Sequence, residues 1–220
     1  MITLSLCMIV KNEQKNICRC LDNIKEVVDE IIIVDTGSTD ETKKLAKKYT
    51  DKIYDMKWQD DFSLARNYSF EKATKEYIMW IDADEYMTKE QCLELKKLKE
   101  NINEEIDGIK MLTYIQLKNN KPKIQISRIR VVKNSINYKW IGYVHEYIKL
   151  KGNVYESNIS IIHDKENEIN DRNLNIYINN INKGFKLSNR DLFYYGKELY
   201  YNKFYKKAIK VLEEFININT

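Results

Sequence analysis

Short β-branched runs that alternate with helix-like segments fill the first half of this chain, and they constrain its fold more than any other feature. Residues 2–10 read as a strand. A helix is expected from Gln14 to Val27, with Ile17, Leu21, Ile24 and Val28 near helical spacing. EIIIVD is a continuous apolar run of the kind covered on both faces of a parallel sheet. TGSTDETKKLAKKY then turns on Gly37 and opens a helix, with Ser38 and Glu41 in the S-x-x-E capping pattern. DKIYDM, DFSLARNYSFEKAT and EYIMWID continue as strand, helix and strand. Strand–helix repetition with such short connections implies an α/β fold built on a parallel sheet with right-handed crossovers.

The pattern changes after Asp84. KEQCLELKKLKEN reads as a helix, whereas GIKMLTYIQL, KIQISRIRVV, YKWIGYVHEYIKL and VYESNISIIH read as strands. The only proline, Pro122, is expected in a polar turn between two of them. From about Glu166 onward the chain reads as helical, and within it DLFYYGKELYYNKFYKKAIKVLEEF looks like two antiparallel helices with a break near Asn202. The 220 residues are enough to bury a full core, in one domain or in one domain plus an appendage.

Charge is high but balanced, 37 basic against 33 acidic residues, so no strong field points to a nucleic-acid partner. The four cysteines, Cys7, Cys18, Cys20 and Cys92, show no metal spacing. They fit a reducing, cytoplasmic setting in which Cys7 is a buried thiol. No run is long enough to span a bilayer, and the amino terminus lacks the basic region and cleavage site of a secretory signal.

In EYIMWIDADEYM an apolar strand runs straight into Asp82, Asp84 and Glu85. Clustered carboxylates at the mouth of a core repel one another unless a positive charge sits among them. If the strand continues, Asp82 and Asp84 leave on one face and could hold a hard cation such as Mn²⁺ or Mg²⁺. The alternative is a solvated strand-to-helix loop. Two further strands end in polar residues, VKNE and VDTGSTD, and in an open α/β sheet such ends converge on one rim where ligands bind. Neither G-x-G-x-x-G nor G-x-x-x-x-G-K occurs, so a polyphosphate ligand would call for a metal.

LSLCMIVKNE, IIIVDTGSTDET, DFSLARNYSFEKATKEYIMWIDADE and YVHE together resemble family 2 glycosyltransferases of the GT-A fold. The bacterial branch with a tetratricopeptide-like helical tail is the most similar group. The resemblance implies a GT-A catalytic domain over residues 1–165, with a nucleotide-binding half at 1–100 and acceptor-side strands at 101–165. A helical extension would follow over residues 166–220.

It also implies a metal-dependent, inverting transfer of a sugar from a nucleotide diphosphate sugar, with a uridine diphosphate donor expected. The acceptor would be a hydroxyl or thiol on a protein, peptide, glycan or lipid-linked molecule. Lys11 and Glu13 would lie near the nucleotide, and Asp35 and Thr36 would face its base and ribose. Many relatives carry two successive acids there, and Thr36 puts the usual carboxylate contact to a uracil in question.

Asp84 would ligate Mn²⁺ or Mg²⁺, with Asp82 closer to the ribose or sugar. Arg66 would sit beside the diphosphate, or else make a surface ion pair. Glu146 of YVHE is the candidate general base, with Asp164 and Glu85 next in line. If its segment is a strand, His145 must point the other way. His163 would complete the metal shell or satisfy a backbone carbonyl. Tyr194, Tyr195, Tyr200, Tyr201 and Tyr205 are expected to pack between tail helices, which would also bind the catalytic domain or a second copy of the chain. The rival readings are a nucleotidyltransferase and an inactive sugar-nucleotide-binding adaptor.

Overall fold

The computed structural model describes residues 1–103, 105–118, 121–163 and 171–219. They form two compact units. The first comprises Met1–Trp58, Ala65–Lys139 and the described part of Ile148–Glu166. The second gathers Gln59–Leu64, Trp140–Tyr147 and the described part of Asn167–Thr220. The sequence reading divides the chain at 165/166; the compact units instead group the segment that contains Glu146 with the tail.

In chain order the elements begin with β1 (Leu4–Val10), α1 (Ile17–Ile24), β2 (Glu30–Asp35), α2 (Thr42–Ala46), β3 (Ile53–Asp55), α3 (Phe62–Glu71) and β4 (Tyr77–Trp80). Then come β5 (Glu85–Tyr86), α4 (Lys89–Asn101), β6 (Gly108–Lys118) and β7 (Lys121–Lys133). Short β8 (Trp140–Ile141) and β9 (Tyr147–Ile148) precede β10 (Val154–His163). Among the described residues the main sheet has the order β3-β2-β1-β4-β7-β6-β10-β5. The β3-β2-β1-β4 block and the β6/β10 pair are parallel, while β7 runs antiparallel to β4 and β6, and β5 to β10.

Burial explains the apolar runs. All six positions of β2 and all four of β4 are buried. α1 turns Ile17, Cys20, Leu21 and Ile24 inward, the i, i+3, i+4, i+7 stripe of an amphipathic helix. They pack with Leu6, Met8, Ile33, Met79 and Leu95 into one core. Each large aliphatic side chain buried there contributes about 1.5–3 kcal/mol.

Two local expectations fail for visible reasons. Ser38 does not cap α2: its Oγ accepts from Asn12 N at 2.9 Å, and Asp40 instead accepts from Thr42 N at 3.0 Å. Pro122 lies inside β7, opposite Leu117, rather than in the turn. It sits next to the strand's first residue, where a missing N–H is tolerated.

At the opposite, amino-terminal end of the sheet, Glu30 is nearly fully buried and accepts from Ser5, Lys52 and Thr74. Burial disfavours its charge, but these donors outweigh that and hold the carboxyl at about 2 against an ordinary 4.5. Because the folded-state pKa is depressed, its contribution is whole above about pH 4.5 and vanishes as the pH falls toward 2. That contribution is on the order of 3 kcal/mol. Glu30→Gln should therefore lose about this much stability near neutrality in urea titrations, and the gap to wild type should close below pH 4. A gap that does not change with pH refutes the assignment.

The second unit holds α5 (Arg172–Asn182), α6 (Asn189–Tyr201) and α7 (Tyr205–Asn219); α6 and α7 are the two antiparallel helices expected, and α5 lies in the preceding stretch that was also expected to be helical. The break near Asn202 is as expected. Ser188 and Asp191 complete a capping box at the start of α6. α6 and α7 pack antiparallel, as the pairs Phe193–Phe215, Gly196–Leu212 and Tyr200–Tyr205 show. Gly196 permits the approach, since a Cβ there would meet Leu212 Cδ2 at 2.6 Å. Tyr195 packs on Tyr177 as expected, but Tyr200, Tyr201 and Tyr205 are about half exposed and do not fill an interhelical core. Among the described residues no helix is long and apolar enough to cross a membrane.

Candidate active site

The carboxyl ends of β1, β2 and β4 lie side by side, as the parallel register Val10↔Asp35 and Cys7↔Trp80 requires. Two of the three loops there are sewn together. Asn12 adopts a left-handed backbone (φ 56°), and its Oδ1 accepts from Thr39 N at 2.8 Å. Glu13 N donates to Thr42 Oγ1 at 2.7 Å. The Glu13 carboxylate accepts from Asn16 Nδ2 at the start of α1, and Lys11 stands exposed.

Asp35 is buried at the end of β2. Its Oδ1 accepts from Gly37 N and Ser38 N at 2.9 and 2.7 Å, while its Oδ2 is buried with no hydrogen-bond partner among the described residues. A buried acceptor left unmet costs about 1–3 kcal/mol, so this atom is suited to an incoming donor. The Thr36 hydroxyl donates to Val10 O at 3.1 Å, which leaves its oxygen able to accept.

β4 stops at Trp80, and residues 83 and 84 form a turn, so strand alternation does not set Asp82 and Asp84. Other groups do. Arg66 Nη2 donates to Asp82 Oδ1 at 2.8 Å, and the Arg66 guanidinium lies over Trp80 at 4.7 Å. Arg66 is 7 % exposed, which decides against a surface ion pair. Asp82 N in turn donates to Glu85 Oε2 at 3.1 Å.

Burial pushes the Asp82 carboxyl up, but the charges of Arg66 and Arg130 outweigh it and hold the group below the usual carboxylate range. The β5/β10 register His163↔Glu85 brings His163 beside the acids. Its Nε2 faces Asp84 Oδ2 at 3.3 Å rather than a backbone carbonyl, and that contact raises the imidazole pKa.

Glu85 is not a candidate base. Arg130 holds it in a fully buried, two-pronged pair at 2.7 and 2.5 Å, and also donates to Thr113 Oγ1 at 2.8 Å. The Arg130 guanidinium lies 3.9 Å over Trp80. Burial first, then the neighbouring Arg130 charge, pulls the Arg128 pKa down. Arg128 and Arg130 were not singled out in the sequence because SRIRVV reads only as strand; two cations two residues apart within that segment were the available signal.

Glu146 lies in the second unit, in the turn between β8 and β9. YVHE is not a strand: His145 is left-handed (φ 53°), so the opposite-face argument for His145 and Glu146 does not hold. Asp164 lies outside the described residues. Among those described, no group of three or more His, Cys, Asp and Glu side chains could hold a metal.

The sequence profile of glycosyl transferase family 2 matches residues 5–150. A TPR repeat-containing protein of Synechococcus elongatus is 44% identical over 96 residues, covering 44% of this chain and 24% of that protein. The SPbeta prophage-derived glycosyltransferase SunS of Bacillus subtilis is 42% identical over 98 residues, covering 44% of this chain and 23% of its own. The chain thus spans about a quarter of the length of these relatives.

Among solved structures, glucosyl-3-phosphoglycerate synthase from Mycobacterium tuberculosis in complex with Mn²⁺ and UDP-glucose superposes with a TM-score of 0.58. It is 15% identical, over 86% of this chain and 81% of that one. Staphylococcus aureus TarS 1-349 gives a TM-score of 0.52 at 13% identity, over 93% of this chain and 72% of that one. These likenesses agree with the expected GT-A arrangement of sheet and helices.

Proposed function

Because the chain belongs to glycosyl transferase family 2, we propose that it transfers a sugar from a uridine diphosphate sugar to a hydroxyl or thiol acceptor, with inversion and with help from a divalent cation. The observation that carries this reading is the Asp82–Asp84 turn at the carboxyl rim, one acid held by Arg66 and the other facing His163. The donor class is taken from the structural neighbour that binds UDP-glucose, an argument from fold analogy.

Asp84 and His163 would hold Mn²⁺ or Mg²⁺. The donor set fits, since such ions are bound through one or two protein groups plus phosphate oxygens and water. When bound, the cation neutralises charge developing on the departing diphosphate.

The chain's own groups supply the rest. Asp35 Oδ2, which has no hydrogen-bond partner among the described residues, accepts an N–H of the base. Arg66 keeps Asp82 ionised and aimed, so that its carboxylate can accept a ribose or sugar hydroxyl. Glu146 takes the proton of the acceptor as it attacks the anomeric carbon from the face opposite the nucleotide.

Uridine diphosphate with Mn²⁺ should raise the melting temperature, by the equivalent of about 2.7 kcal/mol at a hundredfold excess over Kd. Excess chelator or Asp84→Asn should abolish that shift and turnover together. Stabilisation by guanosine or thymidine diphosphate and not by uridine diphosphate refutes the base assignment. Full turnover in excess chelator refutes the cation.

A further inference from the structure

His145 sits in a backbone region that few non-glycine residues adopt (φ 53°), and such a residue persists only where its surroundings over-determine it. The surroundings here belong to α6. His145 Nε2 lies 2.9 Å from Glu198 Oε1, and its ring stacks on Tyr194 with centroids 4.1 Å apart and an 18° interplanar angle. Arg190 Nη2 donates to the His145 carbonyl at 3.2 Å. The Arg190 guanidinium also lies over Tyr147 at 4.4 Å and Tyr194 at 4.8 Å.

Glu198 is 8 % exposed and takes a second donor, Asn173 Nδ2 of α5, at 3.2 Å. Further back in the loop, the Tyr143 carbonyl accepts from Phe62 N at 3.0 Å. Residues 145 and 147 are thus gripped by one helix, and the residue between them is Glu146.

We propose that α6 is a positioning element for transfer: Glu198, Tyr194 and Arg190 clamp His145 and so aim the Glu146 carboxylate. This inference rests on the reading of Glu146 as the base. It makes the helical tail part of the acceptor-side machinery rather than an appended module. A base displaced by about 1 Å loses on the order of 10²-fold in rate, so slackening the clamp should show in kcat. The donor groups Asp35, Asp82 and Asp84 lie in the other unit, so donor binding should not follow.

The test pairs kinetics with a spectroscopic signature. The chain has two histidines, so the His145 ring protons can be assigned with one substitution, and stacking on Tyr194 should move them upfield. Glu198→Ala should abolish the upfield shift and lower kcat by about 10²-fold, with the donor KM and the UDP–Mn²⁺ melting shift within twofold of wild type. Glu198→Gln keeps an acceptor for the His145 N–H and should restore both signature and kcat. Arg190→Ala, at an exposed position, serves if Glu198→Ala does not fold, and should give the same pattern.

An unmoved His145 signal in a folded Glu198→Ala protein overturns the clamp. A lost signal with kcat within twofold overturns the positioning role. A wild-type protein with the upfield histidine that releases no nucleoside diphosphate from any donor overturns the transferase reading itself, and with it the aim assigned to Glu146. That failure appears in wild type, whereas failure of the clamp appears only in the variants.

Discussion

Glu146→Gln should lower transfer by about 10²–10⁴-fold, the usual worth of a positioned base. Glutamine keeps the length and much of the hydrogen-bonding shape of the side chain, but it accepts no proton at neutral pH. The loss should fall on kcat at saturating donor and acceptor. Nucleotide binding with metal, read as a melting shift, should stay near wild type because the donor groups belong to the other unit. Near-normal transfer by this variant would defeat the assignment. Glu85 could not then take over, because both of its oxygens are held by Arg130 in a fully buried pair. His145→Ala is expected to act through the same loop, by loosening Glu146 rather than by removing a group on an opposite face.

Arg130→Met should cost about 3–5 kcal/mol, because it leaves the Glu85 carboxylate buried without its cation. In urea titrations the midpoint should fall by the corresponding amount with the slope unchanged. The double variant Arg130→Met/Glu85→Leu tests the cause, since replacing a buried ion pair by apolar groups of similar size is often neutral. It should regain most of the stability but not the nucleotide-plus-metal melting shift, because Glu85 also receives the Asp82 N–H that shapes the acid turn. If the double variant is as unstable as the single one, the loss comes from packing against Trp80 and Thr113 rather than from an orphaned charge. If it binds nucleotide and metal as wild type does, the pair plays no part in holding Asp82 and Asp84.

The α/β order of the first half is written in local pattern. A continuous β-branched run such as EIIIVD can be satisfied only by cover on both faces, and all six residues of β2 are buried. The i, i+3, i+4, i+7 stripe of Ile17, Cys20, Leu21 and Ile24 admits only a helix laid on that sheet. Parallel strands joined by helices then bring the ends of β1, β2 and β4 to one rim, so the shared edge of the strands that end at Asp35 and lead into Asp82 and Asp84 was legible in the sequence. The break between α6 and α7 was legible for the same local reason.

What lay beyond the sequence was set by partners far along the chain. Arg130 meets Glu85 across 45 residues and His163 meets Asp84 across 79, contacts fixed by the registers of β7 and β10 and by no local periodicity. YKWIGYVHEYIKL has the composition of a strand, yet its centre is a turn with His145 left-handed, because contacts to α6 outweigh β propensity there. Ser38 likewise carries a capping signature but turns to Asn12, since the neighbouring loop offers its backbone N–H. Pattern determines which segments are strand or helix and which rim collects the acids, because burial of one face depends on residues a few positions apart. Tertiary structure alone decides how those acids are held and which helix grips the loop of Glu146, because the groups that do so become neighbours only when the sheet and the tail have folded.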